Sequence, residues 1–105
     1  MKFLNYDSEG VRSRERTEGT ITYGTSADCD YYAENIKSTP QGSTFTLVTR
    51  TGRYEMATKL LGRHNVVNLT GSCAVALEYG VGIEEIKIAM RRILEEDDDQ
   101  IINFM

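Results

Sequence analysis

The side chains best suited to contact a ligand are three polar residues that open an apolar helix: His64, Asn65 and Asn68. They lie in the stretch Leu60-Leu61-Gly62-Arg63-His64-Asn65-Val66-Val67-Asn68. Asn65 and Asn68 are one helical turn apart, so they share a face. An amide side chain both donates and accepts a hydrogen bond, which matches the amino group and ring nitrogen of adenine. His64 would pack against such a base.

The same residues also have a purely structural interpretation. Asparagine is a preferred residue at the start of a helix, where its side chain accepts a hydrogen bond from a free backbone amide. Asn65 or His64 would then cap the helix and have no ligand. Spacing alone favours this capping interpretation.

Other kinds of catalytic site have no support in the sequence. There is a single histidine, no Gly-x-Ser-x-Gly, no His-Glu-x-x-His and no Cys-x-x-Cys, so neither a hydrolase nor a zinc site is indicated. Cys29 and Cys73 are predicted to be free thiols. The chain also contains no Gly-x4-Gly-Lys-Ser/Thr loop, the usual cradle for a triphosphate.

Size and charge limit the alternatives further. The 105 residues are 40% hydrophobic and 27% charged, as in an ordinary globular domain. A formal net charge of -4 argues against a nucleic-acid partner. No apolar run approaches the roughly 20 residues that span a bilayer, and the N-terminal residues lack the apolar core of a signal peptide. We therefore expect no membrane partner and a cytoplasmic location.

Both strands and helices are predicted to position these polar residues, and the first of them form a strand, helix, strand unit. Lys2-Phe3-Leu4 indicates a strand that opens into a polar loop. A short polar helix over 11–16 and a strand at Thr20-Ile21-Thr22-Tyr23-Gly24 then complete a strand, helix, strand unit.

Three strands between about residues 31 and 61 are predicted to form an antiparallel meander. In the first strand, alternation places two sets on opposite faces: Tyr32, Glu34 and Ile36 on one, and Tyr31, Ala33 and Asn35 on the other. Pro40-Gln41-Gly42 marks the first turn. Thr51-Gly52 predicts a two-residue turn for the second.

Two helices are predicted to follow the meander. The first begins at Asn65, and its apolar residues fall at helical spacing: Val66, Leu69, Cys73 and Ala76. Gly80-Val81-Gly82 ends it, and a second helix begins at Ile83. The acidic run at 95–99 opposes the dipole at a helix C-terminus, so residues 95–105 are predicted to be a frayed tail after a single domain at 1–94.

Several of these segments, in this order, resemble the central ATP-binding domain of the Mur ligases. The stretch 60–68 with the helix after it resembles the family's Gly-Arg-His-Asn-x-x-Asn segment. Asn5-Tyr6-Asp7-Ser8 resembles its Asn-x-Asp-Asp loop, although Ser8 stands in place of the usual acidic residue. The similarity covers roughly residues 3–94 and is greatest to the branch that adds D-alanyl-D-alanine, with the branch that adds the third peptide residue close behind.

The resemblance implies an α/β fold, which in this part of the domain is α+β, and a role for the polar residues. Asn68 would contact adenine, His64 and Asn65 would shape that pocket, and Asn5 would lie near the nucleotide. Whole enzymes of the family use ATP and magnesium to form an acyl phosphate, which an amino group attacks to give an amide.

In the family, the phosphate loop, the magnesium carboxylates and the modified lysine precede the matching segment, and the amino-acid-binding domain follows it. We therefore expect a fragment without catalytic residues, metal or tightly bound cofactor, inactive alone, with weak affinity for an adenine nucleotide. The alternative is a non-catalytic binding module that pairs an exposed sheet edge with a second copy, giving a homodimer.

Overall fold

The structure, a computed structural model, describes residues 2–7 and 19–91. The strands are β1 (Lys2–Asn5), β2 (Thr20–Gly24), β3 (Tyr31–Thr39), β4 (Gly42–Val48) and β5 (Arg53–Thr58). The helices are α1 (Arg63–Glu78) and α2, which covers 83–91. The predicted helix at 11–16 and the predicted tail at 95–105 lie outside the described residues.

The five strands form one mixed sheet in the order in which they occur along the chain. β1 and β2 are parallel, β2 and β3 are parallel, and β3, β4 and β5 are antiparallel neighbours. This arrangement confirms the predicted fold class, which is α+β in this part of the domain: a mixed sheet with an antiparallel meander, followed by two helices.

The sheet is stepped at its centre. Only the last two residues of β2 pair with the first two of β3, in the register Tyr23 with Tyr31 and Gly24 with Tyr32. Because the two strands are parallel, the rest of β3 continues beyond the end of β2. The meander therefore projects past the parallel half of the sheet.

The predicted alternation along β3 is wrong after its first half. The pairing with β4 shifts between Glu34 and Lys37, and Asn35 has a φ of 54°. This is a β-bulge, in which an extra residue reverses the faces that follow. Ile36 consequently packs against the same core cluster as Ala33, instead of pointing to the opposite face.

The second hairpin turn is also longer than predicted. β4 ends at Val48 and β5 begins at Arg53, so the connection spans 49–52 instead of two residues. The Thr49 hydroxyl accepts hydrogen bonds from the backbone amides of Thr51, at 3.1 Å, and Gly52, at 3.2 Å. This side chain stabilises the wider loop because it takes over the role of a backbone acceptor.

The core lies between one face of the sheet and the two helices. Its first cluster is built from Phe45, Leu47 and Met56 of the meander, residues on α1 at helical spacing, and Ile86 and Met90 of α2. The predicted α1 stripe is confirmed, since Val66, Leu69 and Cys73 are buried and Ala76 packs against them.

A glycine allows α1 to approach β2 closely. A Cβ atom on Gly71 would lie 2.7 Å from Cε2 and Cζ of the Tyr23 ring. Carbon atoms in ordinary contact are about 3.5–4.0 Å apart. The glycine therefore sets the distance between α1 and the parallel part of the sheet.

Candidate functional site

One cleft lies where the parallel strands meet the start of α1. Asn5 and Asp7, at and just after the end of β1, line it on one side, and Arg63, His64 and Val67 of α1 line it on the other. The cleft has a volume of about 420 Å³. We call it the β1–α1 cleft. Its position at the carboxyl ends of parallel strands is where open α/β sheets bind their ligands.

The β1 side of the cleft is held by a short network of hydrogen bonds. Asn5 Oδ1 accepts a bond from the Asp7 backbone amide at 2.9 Å. The Asp7 carboxylate accepts two from Thr25, one from its amide at 3.1 Å and one from its hydroxyl at 2.9 Å. A Cβ atom on Gly24 would lie 2.5 Å from Asp7 Oδ1. The loop after β1 is thereby fixed to the end of β2.

The α1 side of the cleft is a helix start without a side-chain cap. Gly62 occupies the N-cap position with a φ of 90°, and no side chain bonds to the first amides. The first turn also contains no acidic residue. A helix N-terminus carries a partial positive charge, so this end of α1 favours an anion or a hydrogen-bond acceptor. The interpretation of His64 or Asn65 as the cap is wrong, because α1 begins before both residues.

The structure brings two of the four predicted site residues into the cleft. Asn5 and His64, far apart in sequence, both line it. The Asn65 side chain instead donates a hydrogen bond to the Leu61 carbonyl at 2.7 Å. Asn68 is exposed and lies one turn after His64, outside the lining of the cleft.

Three residues that line the cleft were given no role in the sequence analysis. Asp7 and Arg63 lie inside the two segments that carry the family resemblance, so both could have been predicted as site residues from the sequence. Val67 was interpreted only as part of the apolar stripe. Its 6% exposure agrees with that interpretation, and its side chain also provides an apolar wall.

Two titratable side chains elsewhere are strongly affected by their surroundings. Burial, a hydrogen bond to Glu78 and the negative charge of Glu78 together raise the pKa of Tyr31 to about 12. The Tyr31 hydroxyl donates that bond to the Glu78 carboxylate, which ties the end of α1 to β3. Burial alone raises the pKa of the Cys73 thiol to about 11.

The described residues contain neither a metal-ligand cluster nor a membrane-spanning helix. Within 2–7 and 19–91, no group of three or more His, Cys, Asp or Glu side chains is arranged to hold a metal ion. In the same part of the chain, no helix has the length and apolar character that crossing a bilayer requires. Cys29 and Cys73 are not joined in a disulfide, as predicted, and the structure buries both.

Comparison with known sequences identifies relatives of one kind. The family described as "Mur ligase middle domain" matches residues 1–76. UDP-N-acetylmuramate--L-alanine ligase from Chromobacterium violaceum is 38% identical over 80% of this chain. UDP-N-acetylmuramoyl-tripeptide--D-alanyl-D-alanine ligase from Haemophilus influenzae is 40% identical over 60% of it. The chain covers 19% and 14% of these two relatives.

Solved structures agree with this result. UDP-N-acetylmuramoylalanyl-D-glutamyl-2,6-diaminopimelate--D-alanyl-D-alanyl ligase from Acinetobacter baumannii matches with a TM-score of 0.62 and 30% identity, over 80% of this chain and 18% of that one. UDP-N-acetylmuramate-alanine ligase from Thermotoga maritima, at 18% identity, shares the fold with a TM-score of 0.68, over 86% of this chain and 20% of that one.

These relatives differ in the residue that their names say they add, and their identities to this chain are similar. The comparison therefore does not distinguish a branch of the family, and the predicted similarity to the D-alanyl-D-alanine branch stays a prediction. The match over residues 1–76 nevertheless covers most of the chain. The chain belongs to the Mur ligase family, and the part of that family it matches is the middle domain.

Proposed function

We propose that this chain supplies one side of the adenine pocket of an ATP-dependent ligase that acts on UDP-muramoyl precursors of peptidoglycan. The observation that carries the proposal is the convergence of Asn5 and His64 in the β1–α1 cleft. These residues come from the two segments that the family resemblance singles out. The uncapped start of α1 provides backbone donors beside them.

Each residue has a distinct part in this proposal. His64 is exposed, so its ring is available to pack against a base. Asn68, one turn further along α1, offers an amide that both donates and accepts. Asn65 is held by the Leu61 carbonyl, so it shapes the pocket instead of reaching for the ligand. The side-chain oxygen of Asn5 accepts a hydrogen bond from the Asp7 backbone amide and so holds the loop after β1 in place.

We also propose that these 105 residues do not catalyse amide formation by themselves. In this family ATP supplies the phosphoryl group that activates a carboxylate for attack by an amine. Phosphoryl transfer depends on a phosphate-binding loop and on metal ions that neutralise charge. The sequence has no such loop, and the described residues have no metal-ligand group. We also propose a cytoplasmic location, as is usual for an enzyme that uses ATP.

The proposal is tested by titrating the ¹⁵N-labelled chain with ADP and magnesium while recording amide-resolved NMR spectra. We expect shifts at Asn5, His64, Asn65 and Asn68, with an affinity on the order of millimolar because few phosphate contacts are available. GDP should produce smaller shifts at Asn68, since guanine presents different groups along the edge that this amide would read.

Two variants sharpen the result. Asn68→Ala should reduce the ADP shifts, whereas Lys87→Gln on α2, which lies outside the cleft, should leave them unchanged. A well-dispersed spectrum that stays still up to roughly 10 mM ADP, a concentration well above the expected range, would contradict the proposal. Equal responses to ADP and GDP would contradict the adenine assignment alone.

The second candidate is self-association, favoured by the outer strands of the sheet. Within the described residues, β1 pairs only with β2 and β5 pairs only with β4. Unpaired strand edges can pair with another copy. Sedimentation velocity at increasing protein concentration tests this candidate: a rising mass that is indifferent to ADP supports it, and a constant monomer mass rejects it.

A further inference from the structure

The strand at the outer edge of the meander, β5, carries a residue pattern that fits a second copy of itself. In the described part of the chain, β5 is paired with β4 on one side only. Arg53, Glu55 and Ala57 are exposed on the face of β5 that points away from the helices. Tyr54 and Met56 pack into the core cluster on the other face. The edge therefore has a charged outer face and an apolar inner face.

The two charges on the outer face have opposite signs. Arg53 and Glu55 are two residues apart, so their side chains share a face of the strand. If a two-fold axis pairs β5 antiparallel with itself, the second strand runs in the reverse direction. Arg53 of one copy then meets Glu55 of the other, and the symmetry forms the same contact twice. In charge, the edge of β5 is complementary to itself.

Two registers make this contact while both apolar faces stay on the core side. In the shorter register, Arg53 lies directly opposite Glu55 of the second copy. In the longer register, residues 53–57 pair with one another, so that Tyr54 lies opposite Met56. The two Glu55 side chains then face each other with an Arg53 diagonal to each. Diagonal neighbours are about 7–8 Å apart, a distance that a long side chain spans. Either register therefore places Arg53 within reach of Glu55.

The contacts of these side chains within one chain hold them at the edge without using all of their hydrogen-bonding groups. Arg53 Nη1 forms an ion pair with Oε1 of Glu34, and a guanidinium has further N–H donors. The Thr46 hydroxyl donates to Glu55 Oε1 at 2.9 Å, and the carboxylate can accept additional hydrogen bonds. Both side chains are thus placed on the outer face and are still able to bind a second copy.

The opposite edge of the sheet lacks this complementarity. β1 has the sequence Lys-Phe-Leu-Asn and contains no carboxylate. Antiparallel pairing of two β1 strands would therefore bring no anion to Lys2. β1 is also shorter, with four residues against six in β5, so it offers fewer backbone hydrogen bonds. Of the two outer strands, β5 is better suited to a second copy.

We propose that the chain forms a two-fold dimer in which β5 pairs antiparallel with β5 of a second copy, stabilised by reciprocal Arg53–Glu55 ion pairs. The inference rests on the self-association named above as the second candidate, and it identifies the surface used. The sheet becomes continuous across both copies. Because a single pair of strands buries a small area, the dimer belongs to the weak class of interfaces, with a dissociation constant on the order of 0.1–1 mM.

Charge reversal tests the contact in the full chain. Arg53→Glu or Glu55→Arg alone places like charges across the interface, so each variant should self-associate at least roughly fivefold more weakly than the unmodified chain. When the two variants are mixed, each carboxylate again meets an arginine. The mixture should therefore form heterodimers at least as tightly, within roughly twofold, as the unmodified chain. Titrating one ¹⁵N-labelled variant with the other, unlabelled, measures this affinity from amide shifts along residues 53–57.

Lys87→Glu and Glu84→Arg are the matched controls. These two residues form an ion pair on α2, 3.7 Å apart, and their reversals change the net charge of the chain by the same amounts. Alone or mixed, the control variants should dimerise within roughly twofold of the unmodified chain, because exposed charges away from the contact are largely screened. If mixing the controls increases association as much as mixing the β5 variants does, attraction through net charge explains the result and the proposal is overturned.

The outcomes separate this inference from the other proposals. If the chain dimerises equally well with either reversal, it uses another surface, so the β5 inference fails and self-association stands. If the unmodified chain stays monomeric up to roughly 1 mM, both fail. Neither result concerns the adenine pocket, because Asn5 and His64 lie in the β1–α1 cleft. If a reversal unfolds the chain, Arg53→Gln and Glu55→Gln replace it, and each should weaken dimerisation roughly two- to fivefold; no weakening would overturn the proposal.

Discussion

The close contact between α1 and β2 makes Gly71→Ala a direct test of the packing. In an open helix position, alanine is more stable than glycine by about 1 kcal/mol. Here the added methyl group would lie 2.7 Å from two atoms of the Tyr23 ring. The ring or the helix must then move by about 1 Å to restore ordinary contact.

The expected magnitude is the difference between these two effects. Overpacking a well-packed site costs about 1–3 kcal/mol, and the gain in helix propensity offsets about 1 kcal/mol of that cost. We therefore expect Gly71→Ala to lower the free energy of unfolding by up to about 2 kcal/mol. The substitution is expected to destabilise the protein only because of the contact with the Tyr23 ring.

Urea unfolding of a double-mutant cycle isolates that ring. In a Tyr23→Val background the obstruction is gone, so Gly71→Ala should become stabilising by about 1 kcal/mol. Comparing Ser72→Ala with Ser72→Gly, at an exposed position one residue along α1, measures the difference between alanine and glycine without the Tyr23 contact. If Gly71→Ala stabilises both backgrounds equally, the contact with Tyr23 carries no cost and the reasoning is refuted.

Three further predictions follow from individual contacts. The folded pKa of Tyr31, about 12, exceeds the ordinary value of 10.0, so the folded state holds this proton more tightly. The contribution of Tyr31 to the free energy of unfolding should therefore be constant below pH 10 and be lost as the pH rises from 10 to 12. Phenylalanine cannot titrate, so the Tyr31→Phe variant should lose less stability between pH 10 and 12. Urea unfolding at several pH values in this range measures the free energy of unfolding of both proteins. Gly24→Ala should lower the free energy of unfolding by about 1–3 kcal/mol by crowding Asp7, and should also abolish the ADP-induced shifts; normal stability would contradict it. Burial and a pKa of about 11 keep the Cys73 thiol protonated at pH 8, so its alkylation rate should rise only along the urea unfolding curve, as mass spectrometry can measure.

The sequence predicted the elements well because their periodicities were strong. Helical spacing from Val66 to Ala76 and the glycines after Tyr79 predicted α1 and its end. The bulge at Asn35 was missed because alternation in a strand says nothing about pairing with its neighbour. The wider hairpin loop was missed because it depends on the hydroxyl of Thr49, whose partners are defined only once the turn has formed.

The candidate site was predictable in part, for a similar reason. The segments around Asn5 and His64 could be identified from residue types and order. The contribution of Asp7 could not, because it depends on two bonds to Thr25, eighteen residues away in sequence. The separation of Asn68 from the cleft lining likewise depends on how α1 is rotated against the sheet, which spacing alone does not determine.

The stepped sheet also has a consequence for the order of folding. β3, β4 and β5 are joined by short turns, so their pairing requires little loop-closure entropy, and hairpins of this kind form within about 1–10 μs. Each pair between β1 and β2 instead joins residues eighteen positions apart in sequence, and such pairing is slower because loop-closure entropy grows with sequence separation. We therefore expect the meander to fold early and β1 to join late. Since β1 contributes Asn5 and leads directly to Asp7, the β1–α1 cleft would be among the last parts of the described fold to form.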